Sequence, residues 1–203
     1  MRIVHFGHSC VLVDTGAARL LFDPGAWSTG FEEVRDLDAV LVTHRHPDHL
    51  DRDRLGDLLA NNPNAAFYAA DELDGALAAR PGEALDVENV SVRVVDAPHE
   101  QIHPSVEVPA NVGYLVEHGA FYHPGDSLTV PDVRVDVLAV PTAAPWMKLS
   151  DAADFIGRVR PRIAVPIHEA IVARTEIYYR VLSSTAPDGT EFMVLPRGES
   201  AEL

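Results

Sequence analysis

Four apolar, strand-like runs in this chain each lead within three residues to a histidine or an aspartate, with glycine or proline nearby to turn the backbone. Ala39-Val40-Leu41-Val42 leads to His44, and residues 92–97 lead to His99. Residues 120–125 lead to Asp126, and Ile163-Ala164-Val165-Pro166-Ile167 leads to His168. A fold that aligns such strands brings their ends to one edge. Side chains far apart in sequence then meet without any local spacing rule.

The first of these places is the densest. His44-Arg45-His46-Pro47-Asp48-His49 holds three histidines and an aspartate in six residues. Residues two apart on a helix point in different directions, so this is not a one-face helical pair. On a loop at a strand end the same side chains converge. Imidazole with carboxylate is a donor set that zinc selects, and manganese or iron also accept nitrogen and oxygen donors. A solvated His-rich turn is the bland reading, and the intact H-x-H-x-D-H pattern after a strand outweighs it.

The periodicity predicts strands over residues 2–6, 9–14, 18–23, 39–43, 65–69, 89–97, 112–117, 120–123, 135–140, 162–167 and 191–195. It predicts helices over 48–61, 71–79 with Asp71 as a cap, 150–159 capped by Ser150, and 170–184. Early strands followed by alternating strands and helices imply two sheets with helices on their outer faces. That is an α/β four-layer αββα sandwich, and 203 residues fit a single domain, 1–203. Residues 100–110, with Pro104 and Pro109, read as a long loop.

The formal net charge of −15 argues against a nucleic-acid partner, which requires Lys and Arg to replace counterions. No apolar run is long enough to span a bilayer, so no membrane role is expected. Residues 1–8 carry no export signal, and a cytoplasmic location is the expectation. Cys10 is the single cysteine, so no intrachain disulfide forms; it reads as a buried, inert thiol.

The pattern resembles the metallo-β-lactamase superfamily of metal-dependent hydrolases over nearly the whole chain. Phe6-Gly7-His8-Ser9 followed by Leu21-Phe22-Asp23-Pro24 is similar to the compact branch containing ascorbate-phosphate lactonase. The resemblance implies two divalent metal ions, with zinc first among the candidates. His44, His46 and His99 would hold one ion; Asp48, His49 and His168 the other; Asp126 would bridge them. It further implies cleavage of an ester-type bond in a small molecule (lactone, phosphoester or related) by a metal-bridging hydroxide. Asp48 and His8 are the catalytic candidates. His8 reads as a proton donor or a neighbour of the ligands, or as a structural histidine bonded to backbone. Asp23 orients a ligand imidazole, or is simply the turn residue of Asp23-Pro24-Gly25. Relatives often assemble, so a homo-oligomer is open.

His99-Glu100-Gln101-Ile102-His103 matches H-E-x-x-H, a motif that works only on a helix. Pro98 and Pro104 flank it, and the match reads as coincidence, with His103 a loop residue at the rim. His123 is placed near the site edge. Trp146 and Lys148 form a substrate wall and an anion contact, or Trp146 packs under the following helix. Two other functions compete. A di-iron oxidoreductase of this fold typically has an acidic residue where this chain has His46. A non-catalytic metal-binding or sensing module would be expected to have lost ligands, whereas this set is complete.

Overall fold

The computed structural model describes all 203 residues. Residues 2–22 form an antiparallel meander, β1 (Arg2–His5), β2 (Val11–Asp14) and β3 (Arg19–Phe22). β4 (Ala39–Val42) then pairs parallel to β3. Helix α1 (Arg52–Asn61), capped by Asp51, crosses over to β5 (Ala66–Ala69) and the short β6 (Leu77–Ala78). The second sheet begins with the hairpin β7 (Ala84–Val87) and β8 (Val90–Asp96). β9 (Val112–Val116), β10 (Phe121–His123), β11 (Val137–Pro141) and β12 (Ile163–Ile167) follow, with α2 (Leu149–Val159) between the last two. α3 (Thr175–Thr185), β13 (Glu191–Phe192) and β14 (Ser200–Glu202) complete the chain.

The strands form two seven-stranded sheets, ordered β14-β1-β2-β3-β4-β5-β6 and β13-β12-β11-β10-β9-β8-β7. Period-two alternation sorts each strand between two cores. Leu20 and Phe22 point into the space between the sheets, where Leu41, Tyr114, Phe121, Val137 and Val165 meet them. Leu21 points outward and joins Val40, Val42, Phe67 and Leu58 of α1. On the far side Leu115, Leu138 and Val140 pack against Phe155 and Ile156 of α2 and Leu182 of α3. Each fully buried large apolar side chain contributes about 1.5–3 kcal/mol. The layers run α, β, β, α, as the sequence implies. β4, β9, β11 and β12 are buried at every position, which explains their unbroken apolar runs.

Several elements differ from the sequence reading. Residues 71–79 do not form a helix. Asp71 pairs with Arg45 at 3.5 Å instead of capping, Gly75 adopts φ +80°, and Leu77–Ala78 extends the sheet beside β5. The helix expected over 170–184 begins only at Thr175, because His168 (φ +64°) leads into a separate single turn, Glu169–Ile171. The strand expected over 191–195 is confined to Glu191–Phe192, while β7 and β14 are strands the periodicity did not reveal. At α2 the cap is Lys148, whose backbone N–H donates to Asp151 at 2.7 Å; Ser150 lies inside the helix. The loop over 100–110 has no regular structure, as expected. No helix is long and apolar enough to cross a membrane.

Candidate metal centre

Parallel pairing aligns the C-terminal ends of β3, β4 and β5 in one sheet and of β10, β11 and β12 in the other. The loops leaving these ends meet along one edge of the sandwich. His44, His46, His99 and Asp126 gather there as one cluster, and His8, Asp48, His49 and His168 as a second. Within each cluster the candidate ligand atoms all lie within 4.8 Å of one another. All seven metal-ligand candidates from the sequence are therefore together, and His8 joins them.

Asp23 is the brace of this edge. Its carboxylate accepts the Thr43 backbone N–H, the Thr43 hydroxyl and His49 Nδ1–H, each at 2.7 Å. The turn it begins supports the His-rich loop as well. Ala26 N–H donates to the Pro47 carbonyl at 2.7 Å, and Asp51 N–H to the Pro24 carbonyl at 2.9 Å. Gly25 passes so close that a Cβ there would stand 1.7 Å from the Asp48 carbonyl oxygen. The two readings of Asp23, turn residue and orienting carboxylate, thus describe one device.

The imidazoles are held from behind. His49 Nδ1 donates to Asp23, His168 Nδ1 to the Ala143 carbonyl at 2.6 Å, and His99 Nδ1 to the Glu100 carbonyl at 2.6 Å. Each bond fixes the tautomer that presents an Nε2 lone pair to the cluster. His99 Nε2 and His168 Nε2 are buried without a hydrogen-bond partner, and so is Asp126 Oδ1. Native interiors rarely leave such groups unpaired, and unpaired nitrogen and oxygen donors converging on one point fit a divalent cation.

Asp126 lies between the clusters. Its Oδ1 is 3.1 Å from His49 Nε2 and 3.2 Å from His168 Nε2, while Oδ2 is 3.4 Å from His99 Nε2. Its backbone is pinned: Asp126 N–H donates to Asn111 Oδ1 at 3.2 Å, and its carbonyl accepts Glu100 N–H at 2.8 Å. Asn111 also donates to the Ala97 and Pro124 carbonyls, tying the β8, β9 and β10 ends together.

The two clusters differ electrostatically. Burial, then the neighbouring His49, lowers His44 well below the ordinary histidine range, and burial beside His99 lowers His46. These lowered values favour neutral rings, and His44 Nε2 lies 3.1 Å from His46 Nδ1. At His168 burial works in the same direction, but Asp126 and Asp48 outweigh it and raise the ring to about 9. At His49 burial is likewise outweighed by Asp126 and Asp23, which raise it well above the usual value. For Asp48 and Asp126 burial alone would raise the pKa, yet the surrounding histidines hold both carboxyls well below the usual range. Buried carboxylates among imidazoles favour positive charge here, which a proton or a metal cation supplies.

His8 is held in a left-handed conformation (φ +50°), with its N–H donating to Glu169 Oε1 at 2.9 Å. Its Nε2 lies 3.1 Å from Asp48 Oδ2, and Nδ1 accepts Ala170 N–H at 3.4 Å. Burial, opposed by the Asp48 bond, lowers its pKa to about 4. The neutral ring therefore carries its proton on Nε2 and donates to Asp48.

Several residues fall elsewhere. His103 is exposed on its loop, bonded to Ser105. His123 is fully buried beneath the site, bonded to the Ser9 carbonyl and stacked on Phe22. His5 lies under the His8 turn, 2.9 Å from its carbonyl. Lys148 is exposed, and Cys10 is buried with its thiol pushed up by desolvation. Trp146 turns to the site, where its Nε1–H donates to Asp126 Oδ2 at 2.9 Å. Sequence reasoning missed Glu169 and Asn111. Glu169 had one signal, its place directly after His168; Asn111 had none.

Fold and site together define an αββα metallo-protein with its donors along one sheet edge. The beta-lactamase superfamily domain family matches residues 2–168, and the chain belongs to that superfamily. Protein Rv0786c of Mycobacterium tuberculosis is 48% identical over 212 residues, covering 99% of each chain. A UPF0173 metal-dependent hydrolase of Aeropyrum pernix is 26% identical over 243 residues, covering 100% of this chain and 97% of its own. The solved structure of Igni18, a metallo hydrolase from the archaeon Ignicoccus hospitalis, superposes with a TM-score of 0.75 at 21% identity. The superposition covers 98% of this chain and 97% of that one. The superfamily resemblance read from the motifs is borne out.

Proposed function

We propose that this protein is a metal-dependent hydrolase that holds two divalent ions and cleaves an ester-type bond (lactone, phosphoester or related) in a small molecule. The observation that carries the reading is Asp126, a buried carboxylate that reaches the imidazoles of both clusters. His44, His46 and His99 would hold the first ion, Asp48, His49 and His168 the second, and Asp126 would serve both. Zinc is the ion this nitrogen-rich set suits best, with manganese or iron accepted by the same donors. When bound, two such ions supply Lewis acidity and lower the pKa of water towards neutrality.

The chain's own groups do the rest. Thr43 and Asp23 hold His49 so that its Nε2 faces inward. Asp48 Oδ2, 3.1 Å from His8 Nε2 and 3.5 Å from His168 Nε2, stays ionised and would accept a hydrogen bond that orients attacking water. His8, whose Nε2–H donates to that carboxylate, keeps it oriented. Trp27 stands edge-on to the His8 ring at 4.8 Å and is 45% exposed, so it offers substrate an aromatic face at the mouth. No serine or cysteine nucleophile is needed.

A panel of lactones, phosphodiesters, phosphomonoesters, thioesters and amides, run on metal-reconstituted protein with His46→Ala as the blank, tests this reading. Turnover of an ester-type substrate that vanishes with chelation or in the variant is expected. Full turnover by chelator-treated protein would overturn it.

A further inference from the structure

We propose that Trp146 is a positioning residue that fixes the carboxylate plane of Asp126, so that its two oxygens serve the two clusters at once. The inference rests on the two-ion reading above and adds a role for a side chain outside both clusters.

An aspartate's terminal torsion is broad, so a pinned backbone does not by itself set where Oδ1 and Oδ2 point. Serving two clusters requires a particular plane. The contacts divide cleanly: Oδ1 faces His49 and His168, whereas Oδ2 faces His99 and accepts the indole N–H of Trp146 at 2.9 Å. Rotating the carboxylate would break the indole bond. The donor is also suited to its place. A lysine or arginine there would fix the oxygen but repel a cation, while the indole carries no charge and has a single N–H.

The loop that carries Trp146 is itself part of the site. It leaves β11, offers the Ala143 carbonyl to His168 Nδ1 at 2.6 Å, and closes a turn through Met147 N–H to the Ala144 carbonyl. The indole then stands edge-on to His99 and to His168, 6.4 Å from each ring centroid. One short segment thus holds a histidine of the second cluster and sets the carboxylate shared with the first.

The test is calorimetric zinc titration of Trp146→Phe beside the wild type, with circular dichroism confirming the fold. Phenylalanine keeps the aromatic bulk and removes only the donor. Wild type should take up two ions. The variant should keep one at near wild-type affinity and bind the other about 10–100-fold more weakly, the usual cost of losing an outer hydrogen-bond partner. Two ions at unchanged affinities in the variant would overturn this inference and leave the two-ion reading intact. Fewer than two ions in the wild type would overturn both. Trp27→Phe provides a second measurement, because it leaves Trp146 as the sole tryptophan. Its emission should change as zinc is added and saturate at two equivalents; a flat response through both would also overturn the proposal.

Discussion

The two clusters are built from similar side chains but by different means. The first takes His44 and His46 from one loop and adds His99; its loop histidines are neutral rings lowered by burial. The second takes its members from three separate turns, and carboxylates raise its His49 and His168. Carboxylate placement makes the difference. Asp23 and Asp48 both lie within bonding distance of the second cluster, whereas Asp126 is the carboxylate that touches the first and Asp48 acts on His46 only through its charge. The second is therefore the more strongly anionic place for a cation, and the first the more purely imidazole one.

The largest effect is expected at the residue the clusters share. Asp126→Ala should reduce bound metal from two ions to one or none. It should slow turnover at least about a thousandfold, as expected from losing several kcal/mol of charge stabilisation. Metal analysis beside kinetics checks this; two retained ions would mean the clusters are independent. Next come His46→Ala and His168→Ala, each expected to lose one ion and to exceed the about 10–100-fold cost typical of an outer partner. If either removed both ions, the clusters would form a single cooperative site.

Asp23→Asn sharpens the contrast. It weakens the carboxylate that orients His49 directly and His44 only through Thr43, whose hydroxyl lies 3.1 Å from His44 Nδ1. The second ion should bind about 10–100-fold more weakly and the first change less. Equal weakening would make Thr43 as strong a link as the direct bond. The smallest effect is expected from Arg162→Ala, just before β12, the strand whose far end leads to His168. Its pair with Asp136 at 2.8 Å is about half exposed, so thermal melting should register less than about 1 kcal/mol and metal content should not move.

The same contrast governs what could be read in the sequence. His44, His46, Asp48 and His49 announce themselves because a contiguous donor set follows an apolar run. His99, Asp126 and His168 are legible because each follows a strand: β10, β11 and β12 pair in parallel, and β8 runs in the same direction across the antiparallel β9, so these ends share one edge. Trp146 and Asn111 have no such signature: their bonds to Asp126 arise between segments 15 or more residues apart. In the fold, buried strands were plain from their unbroken apolar runs. The edges were not. Leu77–Ala78 pairs with a neighbour after a glycine turn, and Ser200–Glu202 exists as a strand because it lies against β1. Edge strands depend on a partner more than on their own pattern.

On the proposed reading the clusters are two metal sites joined by one carboxylate. Counting zinc per chain in reconstituted wild type and in His168→Ala, by elemental analysis after removal of free metal, tests it most directly. Two ions in the wild type and one in the variant are the predicted counts. A single ion in the wild type, retained in His168→Ala, would contradict it.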